Sequence, residues 1–236
     1  MTHITQAMIL AAGLGSRMGS LTQDIPKPML PVDGISLIER HLIYLHNNNI
    51  KKIVINTHYK AEIFEDFVKS LPISSKLDIY FSREKELLGT AGGVKKALNI
   101  LGKEPFFIIN SDAIYVDSDN GPTALSQLEK NWNPEIMSIL ILLSAKDKAF
   151  GYYGKGDFDI NQKGQIKLNK EAGEFIHAGM KITDYRAFKN YPDKIIQFYP
   201  TIYMDILSEG KLFGSIYQGD WLHIGDNKAY NVYHSK

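Results

Sequence analysis

Four short runs read as strands, with helically spaced stretches between them, and they constrain this chain more than anything else in it. Residues 7–12 (AMILAA) and 106–109 are continuous apolar runs, the pattern of strands buried on both faces of a parallel sheet. Residues 52–56 (KIVIN) read as the second strand, and 77–81 alternate as a strand does. Leu37, Ile38, His41, Leu42 and Leu45 recur at helical spacing behind a capping box formed by Ser36 and Glu39. Ile63, Phe64, Phe67 and Val68 repeat that spacing over residues 61–71, and Val94, Ala97, Leu98 and Leu101 over 90–101. Strands alternating with helices form βαβ units with right-handed crossovers. The expected fold is therefore α/β, a Rossmann-like doubly wound sheet that binds ligands beyond the carboxyl ends of its strands.

The rhythm changes after residue 144. Residues 151–156 are rich in Gly and Tyr, 158–168 read as a hairpin turning at Lys163-Gly164, and 173–182 as a loop and strand. Helices are expected over 184–190 and 194–208. No Pro/Ser linker separates this part, so residues 1–236 read as a single domain in which the later region forms a lid and substrate wall on the sheet.

Composition narrows the function. Lys+Arg 27 against Asp+Glu 26 gives a net charge of +1, too balanced for a general nucleic-acid binder. The absence of cysteine removes disulfides, thiol nucleophiles and Cys-ligated metals. The longest apolar stretch, residues 136–143, is far short of the roughly 20 residues of a membrane helix, and residues 1–6 lack a signal-peptide pattern. A cytoplasmic location, small-molecule partners and no association with membrane or nucleic acid are expected.

The densest signal follows the first strand: Gly13-Leu14-Gly15-Ser16-Arg17-Met18, then Thr22 and Pro26-Lys27-Pro28. Glycines directly after a buried strand let the backbone turn sharply and present N–H groups to a phosphate. A dinucleotide-binding turn would place Gly where Met18 stands and an acidic residue near Asn56 and Thr57, and no P-loop motif occurs. Arg17 can fork two oxygens of a β,γ-diphosphate, and Lys27, stiffened by its flanking prolines, supplies a point charge suited to an α-phosphorus.

The block over residues 10–18 with Thr22 and Pro26-Lys27-Pro28 resembles the signature of the nucleotidyltransferase family of nucleotide-sugar pyrophosphorylases. The similarity continues through Gly89-Thr90-Ala91-Gly92-Gly93, Asn110-Ser111-Asp112, Gly156-Asp157-Phe158, Ala178-Gly179 and Trp221 to Gly225. It implies the nucleotide-diphospho-sugar transferase fold with a mixed sheet, a nucleotide-binding half over 1–144 and a sugar-binding half over 145–236. The implied partners are a nucleoside triphosphate and a sugar 1-phosphate. Among subfamilies the chain looks most like the N-acetylmuramate-1-phosphate uridylyltransferases. Guanylyltransferases of the mannose-1-phosphate type, cytidylyltransferases of the phosphocholine type and a non-catalytic nucleotide-sugar binding module are the alternatives, and monomer and homo-oligomer are both open.

Carried over position by position, the resemblance assigns Ala12, Gly13, Gly15, Ser16 and Arg17 to the triphosphate loop and Lys27 to the α-phosphate. Gly89, Thr90, Ala91 and Gly92 fall against the nucleobase, and Asn110 orients the nucleoside. Asp112 matches a metal ligand, and Asp157 and Gly179 fall in the sugar-binding half, with Tyr152, Tyr153, His177 and Tyr203 as further sugar contacts. The implied catalytic set is Arg17, Lys27 and Asp112. The pattern breaks at Trp221-Leu222-His223-Ile224-Gly225-Asp226, where His223 occupies the position of the second metal-binding Asp. Mg²⁺ prefers oxygen, whereas imidazole suits Mn²⁺ better. Three readings follow: His223 is itself a ligand, Asp226 or Asp220 supplies the oxygen, or Asp112 and the phosphates hold the metal alone. Mg²⁺ is the expected cofactor, with Mn²⁺ as its alternative through His223.

Overall fold

A computed structural model describes residues 3–169 and 171–235. The first strand, β1 (Gln6–Leu10), is buried along nearly its whole length because it lies at the middle of the sheet. Ala7 and Ile9 project into one core layer and Met8 into the other, so helices must cover both faces. After a two-rung hairpin, β2 (Pro31–Val32) and β3 (Ile35–Ser36), comes helix α1 (Leu37–Asn47). Ser36 caps α1 as its spacing predicts, its Oγ accepting from the Glu39 amide at 3.2 Å. β4 (Lys52–Thr57), α2 (Ala61–Ser70), β5 (Asp78–Arg83), α3 (Gly89–Leu101) and β6 (Phe106–Asn110) complete the alternation. β4 and β6 flank β1 in parallel, with Leu10 opposite both Asn56 and Asn110. Two asparagines thus stand at the carboxyl edge on either side of β1.

Then follow β7 (Ala113–Val116), α4 (Ala124–Asn131), β8 (Ile139–Ala145), β9 (Ala149–Phe150), β10 (Phe158–Ile160), β11 (Ile166–Leu168), β12 (Phe175–Thr183), α5 (Tyr203–Ser208), β13 (Leu212–Ile216), β14 (Asp220–His223) and α6 (Asn227–His234). The later region is more than a wall built onto a finished sheet. β12 runs antiparallel between β6 and β8, β13 pairs β8 in parallel, and the β10–β11 hairpin joins the start of β12. The described residues form one nine-stranded mixed sheet. A smaller sheet, β7-β14-β9, sets His223 opposite Ala113 and so beside the end of β6. α1, α2 and α4 pack on one face of the large sheet, α3 and α5 on the other. Among the described residues no helix is long and apolar enough to cross a membrane.

The helices expected over 184–190 and 194–208 shrink. The first is a 3₁₀ turn, Tyr185–Phe188, and the second yields a π turn, Phe198–Ile202, leading into α5. Pro192 and Pro200 lack the amide proton a continuous helix needs. Ile196 instead donates its N–H to Leu88 O (2.8 Å) and accepts from Ala91 and Gly92 N–H (3.0 Å each), which draws this segment against α3.

Lys181, on β12, is the anomaly of the core. It pairs in register with Ile108 and Ile141, is 2% exposed, and makes no hydrogen bond or ion pair among the described residues. Its Nζ lies 4.3 Å from the centre of the Phe198 ring. Burial pushes its pKa down from 10.5 to about 7. Between those two values the unfolded chain binds the proton that the folded chain has lost, so native stability rises with pH across that window. Lys181→Met should flatten the rise and be more stable than the parent near neutral pH. Urea midpoints measured from pH 7 to 10 check this, and equal slopes in the two proteins would refute it.

Candidate active site

The loop after β1 is shaped by one glycine conformation. Gly15 has φ +67°, and a Cβ there would stand 3.1 Å from Thr22 Cγ2 and 3.2 Å from Lys27 Cβ. Its carbonyl accepts from the Met18 amide (2.8 Å) and the Thr22 hydroxyl (3.0 Å), folding residues 16–22 into 3₁₀ turns. Arg17 is exposed at the rim and makes no ion pair among the described residues. Pro26 leads into a short turn that buries Lys27 to 8% exposure.

Lys27 reaches across to the end of β6. Its Nζ donates to Asp112 Oδ2 at 2.8 Å and to Gly225 O at 3.0 Å. His223, at the end of β14, lies with Nε2 3.5 Å from the same Asp112 oxygen. Its ring stacks on Trp221, 5.2 Å between centres and 13° from parallel. Gly225 makes room for that ring, since a Cβ there would stand 2.4 Å from it. Burial alone would raise the Asp112 pKa, but His223 and the charge of Lys27 outweigh it and hold the carboxyl far below the usual range. Asp112 is thus a fixed anion. Asp226 is engaged elsewhere, capping α6 through the Ala229 amide at 2.8 Å, and Asp220 stands exposed opposite Val116 at the other end of β14. Of the groups that could join Asp112, His223 is the one beside it.

These groups sit at a cleft of about 630 Å³ over the carboxyl ends of β1, β4 and β6. Ala12, Gly13, Gly15, Ser16, Arg17, Lys27, Gly89, Thr90, Asn110 and Asp112 line it. Ala91 and Gly92 do not, because α3 starts at Gly89 and their amides go to Ile196. Gly179 lies behind the wall, where a Cβ would stand 3.3 Å from Asn110 Cβ. Asp157 lies off the cleft lining, with its carboxylate accepting from the Tyr152 hydroxyl at 3.4 Å. Tyr153 is exposed under the Lys228 ammonium, and His177 and Tyr203 meet edge to face, 6.2 Å apart.

Three polar lining residues escape a reading of the sequence as site residues: Asn56, Glu84 and Gln197. Asn56 Oδ1 accepts from the Ala11 amide (2.7 Å), and its Nδ2 donates to Glu84 Oε1 (2.7 Å). Glu84 Oε2 accepts from the Leu88 amide (2.9 Å), leaving a buried carboxylate in the wall. Gln197 Oε1 accepts from the amide (3.1 Å) and hydroxyl (3.0 Å) of Thr90. The position of Asn56 and Glu84 just within or beyond strand ends is the one signal that could have found them. Nothing local marks Gln197.

Residues 6–232 match the family described as Nucleotidyl transferase. The chain is 31% identical to N-acetylmuramate alpha-1-phosphate uridylyltransferase of Caulobacter vibrioides, over 94% of this chain and 93% of that protein. It is 36% identical to D-glycero-alpha-D-manno-heptose 1-phosphate guanylyltransferase of Campylobacter jejuni over 47% of this chain and 48% of the other. Among solved structures, HddC from Yersinia pseudotuberculosis complexed with GMP-PN superposes with a TM-score of 0.77 at 26% identity, covering 98% of this chain and 99% of that one.

The two loop glycines should respond oppositely to alanine. Gly15→Ala is forced to positive φ against Thr22 and Lys27 and should lose about 1–2 kcal/mol of stability. Gly13→Ala meets nothing within 4 Å and should cost almost none. Urea unfolding of both variants checks the contrast.

Proposed function

The chain belongs to the nucleotidyl transferase family, and from that premise we propose that it is a sugar-1-phosphate nucleotidyltransferase acting on UTP and N-acetylmuramate 1-phosphate or a related sugar. A phosphate oxygen of the sugar 1-phosphate attacks the α-phosphorus of the nucleotide in line. The bond from that phosphorus to the β-bridging oxygen breaks, and pyrophosphate leaves with the electron pair. The nucleophile is already anionic, so no general base is needed, and catalysis consists of positioning and charge neutralisation.

The observation that carries this reading is the ion pair of Lys27 and Asp112 at the floor of a cleft whose rim is the glycine turn and Arg17. Lys27, buried and oriented by Asp112 and Gly225 O, supplies a fixed charge to the phosphorus under attack. Arg17, at the rim, takes the β- and γ-phosphates and stabilises the departing pyrophosphate. Enzymes of this family use a divalent metal, and Asp112 with His223 fit it as a mixed oxygen and nitrogen donor pair. A bound metal would have Asp112 and His223 as its side-chain donors, since among the described residues no group of three or more acidic, His or Cys side chains is gathered to hold one. When bound, the metal neutralises phosphate charge.

A second reading of the base rests on Glu84. Guanine offers two adjacent donors, N1–H and the 2-amino group, to a carboxylate, while uracil offers one N–H between two carbonyl oxygens. A buried carboxylate in the cleft wall favours the guanylyl alternative.

The deciding experiment is pyrophosphate release with UTP, GTP, CTP, ATP and dTTP against a panel of sugar 1-phosphates, with Mg²⁺ and with Mn²⁺. Highest kcat/KM with UTP and N-acetylmuramate 1-phosphate is expected, a GTP preference adopts the Glu84 reading, and no release with any pair overturns both. Lys27→Ala should lower kcat by roughly 100-fold or more with a smaller change in nucleotide affinity. His223→Asp should shift the metal profile toward Mg²⁺, and an unchanged profile would remove His223 from the metal site.

A further inference from the structure

Lys181 has no part in the phosphoryl transfer described above, yet it is the most costly group in the core to bury. An ammonium shielded from water without a counterion is less favourable than an apolar side chain of the same length. Its surroundings offer two aromatic faces, Phe198 at 4.3 Å and Tyr203 at 6.0 Å, and among the described residues no carboxylate pairs with it. The Tyr203 hydroxyl is also buried without a hydrogen-bond partner. Beside the ammonium the core therefore keeps hydrogen-bonding capacity unused, on β12 and α5 and away from the phosphate loop.

The ammonium lies directly behind the cleft wall. Phe198, the ring it rests on, follows Gln197, which lines the cleft, and the Phe198 amide donates to the Thr90 hydroxyl of that wall at 3.1 Å. Two residues before Lys181, Gly179 takes a positive φ of 76° where the register of β12 against β8 shifts, and its backbone runs against Asn110, also of the wall. His177, half-buried, closes the other side against Tyr203. Lys181 pairs with Ile108, two residues or about 7 Å along β6 from Asn110 at the cleft edge, a span that a four-carbon stem covers.

We propose that Lys181 determines the sugar specificity of this enzyme by pairing with a carboxylate carried on the sugar ring, so that the preferred acceptor is an acidic sugar 1-phosphate. The proposal rests on the nucleotidyltransferase reading above. The triphosphate and the anomeric phosphate are served by Arg17, Lys27 and the metal, which leaves Lys181 for a separate anion. A monovalent carboxylate suits a lone primary ammonium.

The test compares kcat/KM for N-acetylmuramate 1-phosphate, whose lactyl ether carries a carboxylate, with that for N-acetylglucosamine 1-phosphate, which lacks it. The parent protein is expected to prefer the acidic sugar at least tenfold. Lys181→Met should bring the ratio close to one, mainly through KM for the acidic sugar, with a melting temperature no lower than the parent's. Equal use of both sugars by the parent, or an unchanged ratio in the variant, overturns the role of Lys181 while leaving the transferase reading intact. A variant that melts lower or fails to fold assigns the lysine to core packing and overturns the proposal as well. Release of pyrophosphate from neither sugar with any nucleotide is the separate outcome that removes the underlying reading.

Discussion

The ion pair between Lys27 and Asp112 is the constraint on which the rest of the site depends. It ties the loop after β1 to the end of β6, and the Gly225 carbonyl brings the start of the last loop to the same ammonium. Both charges are largely removed from water, so each is stable only while the other is present. The architecture around them serves that requirement. Gly15 turns the backbone so that Lys27 can approach, Ile224 donates its amide to Asp112 O, and Trp221 stacks on the imidazole that shares the Asp112 oxygen. A cation and an anion held in this way form a preorganised field, which is what transfer at phosphorus asks of a protein.

The mixed sheet explains how both halves of the chain reach one cleft. The parallel strands β1, β4 and β6 end together and present Asn56 and Asn110 beside the glycine turn. β12 then enters antiparallel to β6, so its early residues, not its late ones, reach the same edge. His177, Gly179 and Lys181 are thereby set alongside a cleft built from the first half of the chain. The segment over residues 194–198 closes the remaining side by hydrogen bonding to the start of α3.

Much of this was legible beforehand, for identifiable reasons. β1 and β6 are readable because burial on both faces demands an apolar residue at every position, and β5, at the sheet edge, because it alternates. The cap at Ser36 was readable because its hydrogen bond spans three residues. The glycine turn, Arg17, Lys27 and Asp112 were readable as motifs, and all of them line the cleft. Apolar spacing suggests helices over 184–190 and 194–208, but prolines and contacts to α3 hold much of that backbone elsewhere. The role of the later region as part of the main sheet was under-read, since β12 alternates less cleanly than a run buried on one face.

Sequence alone therefore determined the α/β alternation and the glycine turn after β1 through local spacing and backbone stereochemistry, and it named Lys27 and Asp112 through the resemblance of their motifs. Tertiary structure alone decided that His223, rather than Asp220 or Asp226, stands beside Asp112, that Glu84 and Gln197 enter the cleft wall, and that Lys181 is buried behind it without a counterion. Each of those facts depends on segments brought together across the fold. Lys27 meets Gly225 from 198 positions away, and no local period encodes a contact closed by the packing of whole strands.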